Sequence, residues 1–521
     1  MFEHKGRAFL MDLVKIKNLI SIAAALSVLA GCAVRPVAYS THELATRAGE
    51  NIARLTLHQE PVGRAIGLHE AMARALKYNL DLRVKEAQVQ LANAELDLSH
   101  YSLLPNIVSN SGYAARDNLY ASKSLDLATG TLDPTSSSSQ DKTRYSQDLT
   151  FSWNILDFGL SYVRANQAAD RYLVTQELQR SVSHKLLEEV RATYWRAIAY
   201  DRLVKRLHSL EKRTTRAIQN SRKMSADNQV SRVVALTAER ELLKIKRAIK
   251  ALQGDHYGAK SDLGKLMNLK PGTAFELKEE SRNELPSKLP LSTKEMMFAA
   301  ARDRPEIREI MYRQRINMGE VQAAMLEILP GMNVYAGTNW DSNSFLLNSS
   351  WFSWGATISW SLLKLFQYPT RKYTVEAQAE LLRRRALTIT MSVMTQVHLS
   401  RLRYFGSSQE FDVARDYRSV QSRLTKLMRK EAKAARISEQ KLLLEEMNLL
   451  VAEVKYDVAY AQYQASYANL FASTGADPLG HIDSSDPVAE ISKALKRGWS
   501  FSNLSKAGTD NNANIQTADR T

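Results

Sequence analysis

FSWGATISW, residues 352–360, alternates large apolar and small side chains. Phe352, Trp354, Ala356, Ile358 and Trp360 fall on one side of an extended chain, and Ser353, Gly355, Thr357 and Ser359 fall on the other. That period of two is the signature of a β-strand. C-terminal to it the chain is charged and rich in Ala and Leu, with helical character over tens of residues. A strand with so aromatic a face needs a cover, and either lipid or a packed helix could supply it.

An internal repeat places this strand. Glu70-Ala71-Met72 and Ala75 open one helical stretch that runs to Leu103-Leu104-Pro105, and Glu295-Met296-Met297 and Ala300 open another that runs to Ile328-Leu329-Pro330. Glu70 and Glu295 lie 225 residues apart, as do Pro105 and Pro330. Further on the offset is 207, relating Ser152-Trp153 to Ser359-Trp360, Ser231 to Ser438, Leu242-Leu243 to Leu449-Leu450, and Pro271 to Pro478. The 18-residue difference falls in one polar loop, SKSLDLATGTLDPTSSSSQDKT (122–143), whose shorter counterpart is SNSFLLNSS (342–350). Insertions collect at loop tips, so the flanking elements are a matched pair.

Each copy therefore reads helix, strand, loop, strand, long helix, turn, helix. The strands are expected at 106–120 and 144–156, then at 332–341 and 351–362. In the first copy Tyr145, Leu149, Phe151, Trp153 and Ile155 alternate with Ser146, Asp148, Thr150, Ser152 and Asn154. The long helices are expected over 160–223 and 368–430, with Pro369 setting the start of the second. About 60 residues of helix span about 90 Å. Leu178, Val182, Leu186, Val190 and Tyr194 form a narrow seam, repeated by Ile389, Val393 and Val397, of the kind that packs helix on helix. Turns are expected at 225–229 and 431–436, with Ser231 and Ser438 as N-caps, and Ser292 to Glu295 reads as a capping box.

The N-terminus is a targeting signal. Lys15 and Lys17 precede an apolar run, Asn18 to Gly31, too short to span a bilayer and right for a secretory signal. It ends Leu29-Ala30-Gly31-Cys32, and Cys32 is the only cysteine. This resembles a bacterial lipoprotein signal, with Cys32 lipidated; an ordinary signal peptide is the alternative, and Met11 is an alternative start. No cysteine is left for disulfides. The net charge of +16 is spread along helical stretches with acids between, which favours solvated helix faces over nucleic-acid binding. The ten histidines lack ligand spacing, and no nucleophile, phosphate-loop or dinucleotide motif occurs, so no enzyme, metal or cofactor reading has residues to rest on.

LHEAMARALKYNLDLR (68–83), LLPN and ILPG before the strands, SWNILDFG (152–159) after one, and the in-register duplication together resemble the TolC-type outer-membrane efflux protein family, lipoprotein branch, over about 65–480. The resemblance implies a mainly α fold with a membrane β-barrel. Three protomers would share one barrel at four strands each and continue as long α-helical hairpins forming a periplasmic tunnel. It implies the exit duct of a tripartite export system, with a periplasmic adaptor (membrane fusion) protein and an inner-membrane transporter as partners, serving drug efflux or type I secretion of protein or polysaccharide. A periplasmic coiled-coil scaffold or adaptor lipoprotein is the rival reading. The chain then divides into signal peptide 1–31, N-terminal segment 32–64, first repeat 65–270, linker 271–291, second repeat 292–480 and a polar tail 481–521, expected to be disordered.

On this resemblance Leu149, Phe151, Trp153, Phe352, Trp354, Ile358 and Trp360 face lipid, and Pro105 and Pro330 mark the turns into the strands. Arg222, Lys223, Asp227, Arg232, Arg429, Lys430, Lys433 and Arg436 stand at the periplasmic tips, where the tunnel is gated. Their basic excess fits an entrance favouring anions, solvated tip charge, or contact with an acidic adaptor protein. Two departures stand out: neither tip, KMSADNQVS nor RKEAKAARIS, carries a glycine, and WSLLKLF lacks the Asp-Phe-Gly of WNILDFG.

Overall fold

The computed structural model describes residues 36–499, apart from 58, 64, 228–230, 280–288, 290 and 477–484. The signal segment, Cys32 and the last part of the expected tail lie outside the described residues. The chain forms two units, one ending at Gln59 and the other starting at Glu60. The first contains α1, Thr41–Arg54, which starts in a capping box between Ser40 and Glu43.

The second unit holds one element series twice. The first pass is α2 (Leu68–Tyr78), α3 (Leu80–Tyr101), β1 (Asn106–Ala115), β2 (Ala121–Ser122), β3 (Ser137–Ser138), β4 (Thr143–Asn154), α4 (Ile155–Asp201), α5 (Val204–Ala226) and α6 (Arg232–Leu266). The second is α7 (Thr293–Asp303), α8 (Pro305–Leu326), β5 (Gly331–Asp341), β6 (Ser350–Ser359), α9 (Leu362–Lys433) and α10 (Glu439–Ser473). α11, Val488–Gly498, comes last. The β2–β3 ribbon, absent from the second pass, lies in the longer polar loop.

Local chemistry fixes the joints. Asn79 separates α2 from α3: its backbone is extended, and its Oδ1 accepts the Leu82 N–H. Its amide also reaches the Leu266 carbonyl at 3.2 Å. At the matching break Arg304 is extended because Pro305 comes next and occupies the first helical position. The final helices close on left-handed residues, Asn268 (φ 55°) and Gly475 (φ 78°). A Cβ on Gly475 would stand 2.8 Å from the Asp303–Arg304 peptide, so glycine is required there.

The core gathers the expected seam. Leu186, Val190 and Tyr194 are buried where α4 meets α2, α6 and α10, and Val393 and Val397 are buried in the second half. The Tyr194 hydroxyl donates to the carbonyls of Ile66 (3.2 Å) and Lys278 (2.6 Å), fastening the start of the linker to the segment before α2.

Several boundaries differ from the sequence expectation. The strand expected over 106–120 stops at Ala115, and the one expected to 362 stops at Ser359. The helix expected over 160–223 starts directly after β4, because Asn154 Oδ1 caps Leu156 and Asp157. It is interrupted at Arg202–Leu203, where Leu203 N–H bonds the Tyr200 carbonyl in a tightened turn and Leu203 enters the core. Pro369 does not start the second long helix; it lies inside α9, eight residues into 72. There the helix forgoes one hydrogen bond to the Leu365 carbonyl without ending. Ser438 caps α10 through its side chain, whereas Ser231 precedes α6 without a side-chain bond.

The expected disordered tail also needs correction, because it contains α11. Val488, Ile491 and Leu495, spaced for one helix face, are buried against α2. Trp499 then stacks on Phe471 (5.0 Å) and covers the Arg191 guanidinium (4.8 Å). Leu495→Ala should therefore destabilise the helical unit by about 2–4 kcal/mol, read as a lower unfolding temperature by circular dichroism. An unchanged transition would mean that α11 does not belong to the core.

Candidate functional site

The four long strands form one antiparallel sheet in the order β1-β4-β5-β6. Its register aligns the alternation of every strand. On one face Asn110 lies opposite Asp148, Asp148 opposite Asn339, and Tyr335 opposite Gly355. These groups bond one another: Asn110 Nδ2 donates to Asp148 at 2.9 Å, Thr150 Oγ1 donates to Asp148 at 3.2 Å, and Asn339 Nδ2 donates to Ser353 at 2.8 Å. Arg144 and Asp341 pair at 3.4 Å. A Cβ on Gly355 would sit 2.6 Å from the Tyr335 hydroxyl, so the ring lies across this position and a side chain there would have to displace it.

The other face is apolar. Ile107 faces Phe151, Leu149 faces Thr338, Phe151 and Trp354 flank Ala336, and Ile358 faces Met332. Among the described residues no helix covers it: Trp354 is 78%, Ile358 70% and Phe352 63% exposed. Trp153 is half-buried, edge-on to Phe158. Trp360 lies one residue beyond β6, and its ring N–H donates to the Ile328 carbonyl at 2.9 Å, tying the end of β6 to the turn before β5. Pro105 and Pro330 occupy identical places, immediately before β1 and β5. β1 and β6 each pair on one side only, leaving an open edge.

At the far ends of the long helices, α5 packs with α6 and α9 with α10. Arg202 (with Asp457, 3.2 Å), Arg206 (with Glu453) and Arg213 (with Glu446) line one side, and their acids run back along α10 in antiparallel order. Glu446 also binds Arg429 of α9 at 2.8 Å, so one carboxylate joins the two helical hairpins. Sequence reading missed Glu446 and this ladder. Its signal is the mirrored spacing, steps of four and seven among the arginines and of seven and four among the acids.

The predicted tip residues divide into two sets. Arg222 pairs with Glu239 (Nε–Oε1 2.7 Å), Arg429 with Glu446, and Arg436 with Glu431 (3.4 Å). Among the described residues Lys223, Arg232, Lys430 and Lys433 have no ion-pair partner, and Asp227 serves as the C-cap of α5. The glycine-free second tip closes as a Schellman turn, with Arg436 N–H on the Glu431 carbonyl (2.9 Å) and Ala435 in the left-handed region at φ 57°. Among the described residues no helix is long and apolar enough to cross a membrane, and no group of three or more His, Cys, Asp or Glu is placed to hold a metal.

No family model matches the chain, and no curated protein matches its sequence. Solved structures do. The Campylobacter jejuni CmeC outer membrane channel is similar with a TM-score of 0.65 at 13% identity, over 90% of this chain and 98% of that one. The outer-membrane channel OprN is similar at 0.61 and 16%, over 81% and 95%. CusC, whose structures concern folding and transmembrane channel formation, is similar at 0.58 and 17%, over 81% and 96%. At such identities the likeness is one of fold. The chain has the fold of outer-membrane channels, the architecture that its resemblance to the TolC-type family implies.

Proposed function

We propose that this chain is the outer-membrane exit duct of a tripartite export system, assembled as a homotrimer. The observation that carries the reading is the four-stranded sheet, with a hydrogen-bonded polar face, an uncovered aromatic face and two open edges. A strand can enter lipid only when its backbone groups are paired, and four strands are too few to close around a passage. Three copies would close twelve strands, with Ser353, Gly355, Thr357 and Ser359 toward water and Leu149, Phe151, Trp153, Phe352, Trp354 and Ile358 toward lipid. The long helices would carry the passage into the periplasm, toward an adaptor and an inner-membrane transporter. Cys32 would add a lipid anchor. With no nucleotide or catalytic motif in the sequence, transport energy would come from the partner pump and the duct would be passive, for small molecules or for a secreted protein or polysaccharide. The two repeats, 65–270 and 292–480, would contribute one strand pair and one helical hairpin each.

Replacement of single strand residues tests the membrane face. Ile358→Arg should sharply reduce recovery of heat-modifiable trimers from the outer-membrane fraction, because a cation on the lipid face costs up to about 2–4 kcal/mol per chain. Thr357→Arg should be tolerated better. Equal tolerance at both positions would point to the scaffold reading.

Within the duct, Lys223, Arg232, Lys430 and Lys433 would bring four unpaired cations per chain to the entrance, which favours anions. Planar-bilayer reversal potentials under a salt gradient should show anion preference. Lys430→Gln with Lys433→Gln should reduce it, and cation preference in the unaltered protein would contradict the proposal.

A further inference from the structure

The 207-residue offset relates contacts as well as sequence. Arg222 binds Glu239 across the α5–α6 hairpin (Nε–Oε1 2.7 Å). The residues 207 positions later, Arg429 and Glu446, bind across α9 and α10 at 2.8 Å. The closing faces of the two hairpins match too: Leu242, Ile245 and Ile249 of α6 are buried, and so are Leu449, Ala452 and Tyr456 of α10. Each position on one hairpin therefore has a structural counterpart on the other.

A second face breaks this equality. α10 also packs on α4 and α5, and Leu443, Met447, Leu450 and Val454 lie in the same core as Leu207 and Leu210. Their counterparts on α6, Leu236, Arg240, Leu243 and Arg247, are all exposed. Across that joint Arg206 and Arg213 meet Glu453 and Glu446. The counterparts of these arginines on α9 are Val413 and Val420, 69% and 53% exposed. Leu427 continues them at a spacing of seven, the period of a helix seam. Asp416, on the same face between the two valines, is exposed. Among the described residues α6 makes no comparable contact with α9 of its own chain. Two exposed stripes thus occupy the positions whose counterparts cover each other.

We propose that these stripes meet between neighbouring copies, α6 of one chain on α9 of the next, in the register of the joint inside each chain; this rests on the homotrimeric reading. The register sets Lys246 beside Val413 and Glu239 beside Val420, as Glu453 stands by Arg206 and Glu446 by Arg213. Leu243, the counterpart of Leu450, enters between Val413 and Val420, and Leu236 packs toward Leu424. Asp416 supplies the acid for Arg240 and Arg247. Two different faces meeting head to tail close a ring, and the open edges of β1 and β6 run in the same sense, first repeat to second. The two joints then share a geometry and differ in chemistry: ion pairs hold the one inside a chain, and apolar side chains hold the one between chains.

Crosslinking of the full-length protein in isolated outer membranes tests the register. A chain with Lys246→Cys and Val413→Cys, treated with a short bifunctional thiol reagent, should give covalent dimers and trimers, and each single variant should stay monomeric. Val234→Cys with Val413→Cys, about 18 Å out of register along α6, should stay monomeric as well. A charge pair reports the same contact without a reagent. Leu243→Asp should lower the temperature at which heat-modifiable trimers dissociate, and adding Val420→Lys should restore part of the loss. Recovered trimers that give no covalent dimers, equal crosslinking by both cysteine pairs, or no rescue by Val420→Lys would overturn the inference and leave the duct standing. An adduct with a different protein in place of a second copy would assign the α6 face to a partner's helix and overturn it too. Absence of trimers of the unaltered protein from the outer membrane would overturn the duct as well.

Discussion

In the proposed duct the rest of the structure depends on the closure of backbone hydrogen bonds along two strand edges. β1 and β6 each span ten residues and pair on one side only. Along such an edge about ten N–H and C=O groups point outward, and each left unpaired in hydrocarbon costs several kcal/mol. The open edges therefore represent a penalty on the order of tens of kcal/mol, larger than the whole net stability of a typical domain. The sheet is viable in lipid only as part of a ring. Because α4 succeeds β4 without a linker and α9 succeeds β6 after two residues, closing such a ring would also set where the helices descend.

Both halves meet the same structural demands with different residues. Asn79 breaks a helix by capping the next one, and Pro305 achieves the same break by forbidding the helical conformation of the residue before it. Asn268 and Gly475 both take the left-handed position that ends a 35-residue helix, and at Gly475 a Cβ would also meet a neighbouring peptide. Matching backbone positions with divergent side chains are what a duplicated unit would retain when geometry is constrained more tightly than chemistry.

Much of this was legible in the sequence because the strands are short and β4 and β6 alternate clearly. FSWGATISW lands on β6 with its two faces as read, and only Trp360 falls outside, drawn back to the Ile328 carbonyl. The tip cations were legible too, but their pairing was not. Arg213 and Glu446 are separated by 233 residues, and only packing shows that one carboxylate serves Arg213 and Arg429 together. α11 escaped notice because polar sequence surrounds three apolar residues whose spacing alone betrays a buried face. Pro369 misled for a different reason. A proline within a long helix costs one hydrogen bond, which a 72-residue helix anchored along α8 and α10 absorbs.

Closure between copies is measurable at the strand edges themselves. Ser109 in β1 and Ala356 in β6 lie on the apolar face of the two open edges, and Cys32 is the only native cysteine. A chain carrying Ser109→Cys and Ala356→Cys, treated with a short bifunctional thiol crosslinker in isolated outer membranes, should yield covalent dimers and trimers and nothing larger. Monomer alone, or a ladder running past three, would contradict a barrel shared by three chains.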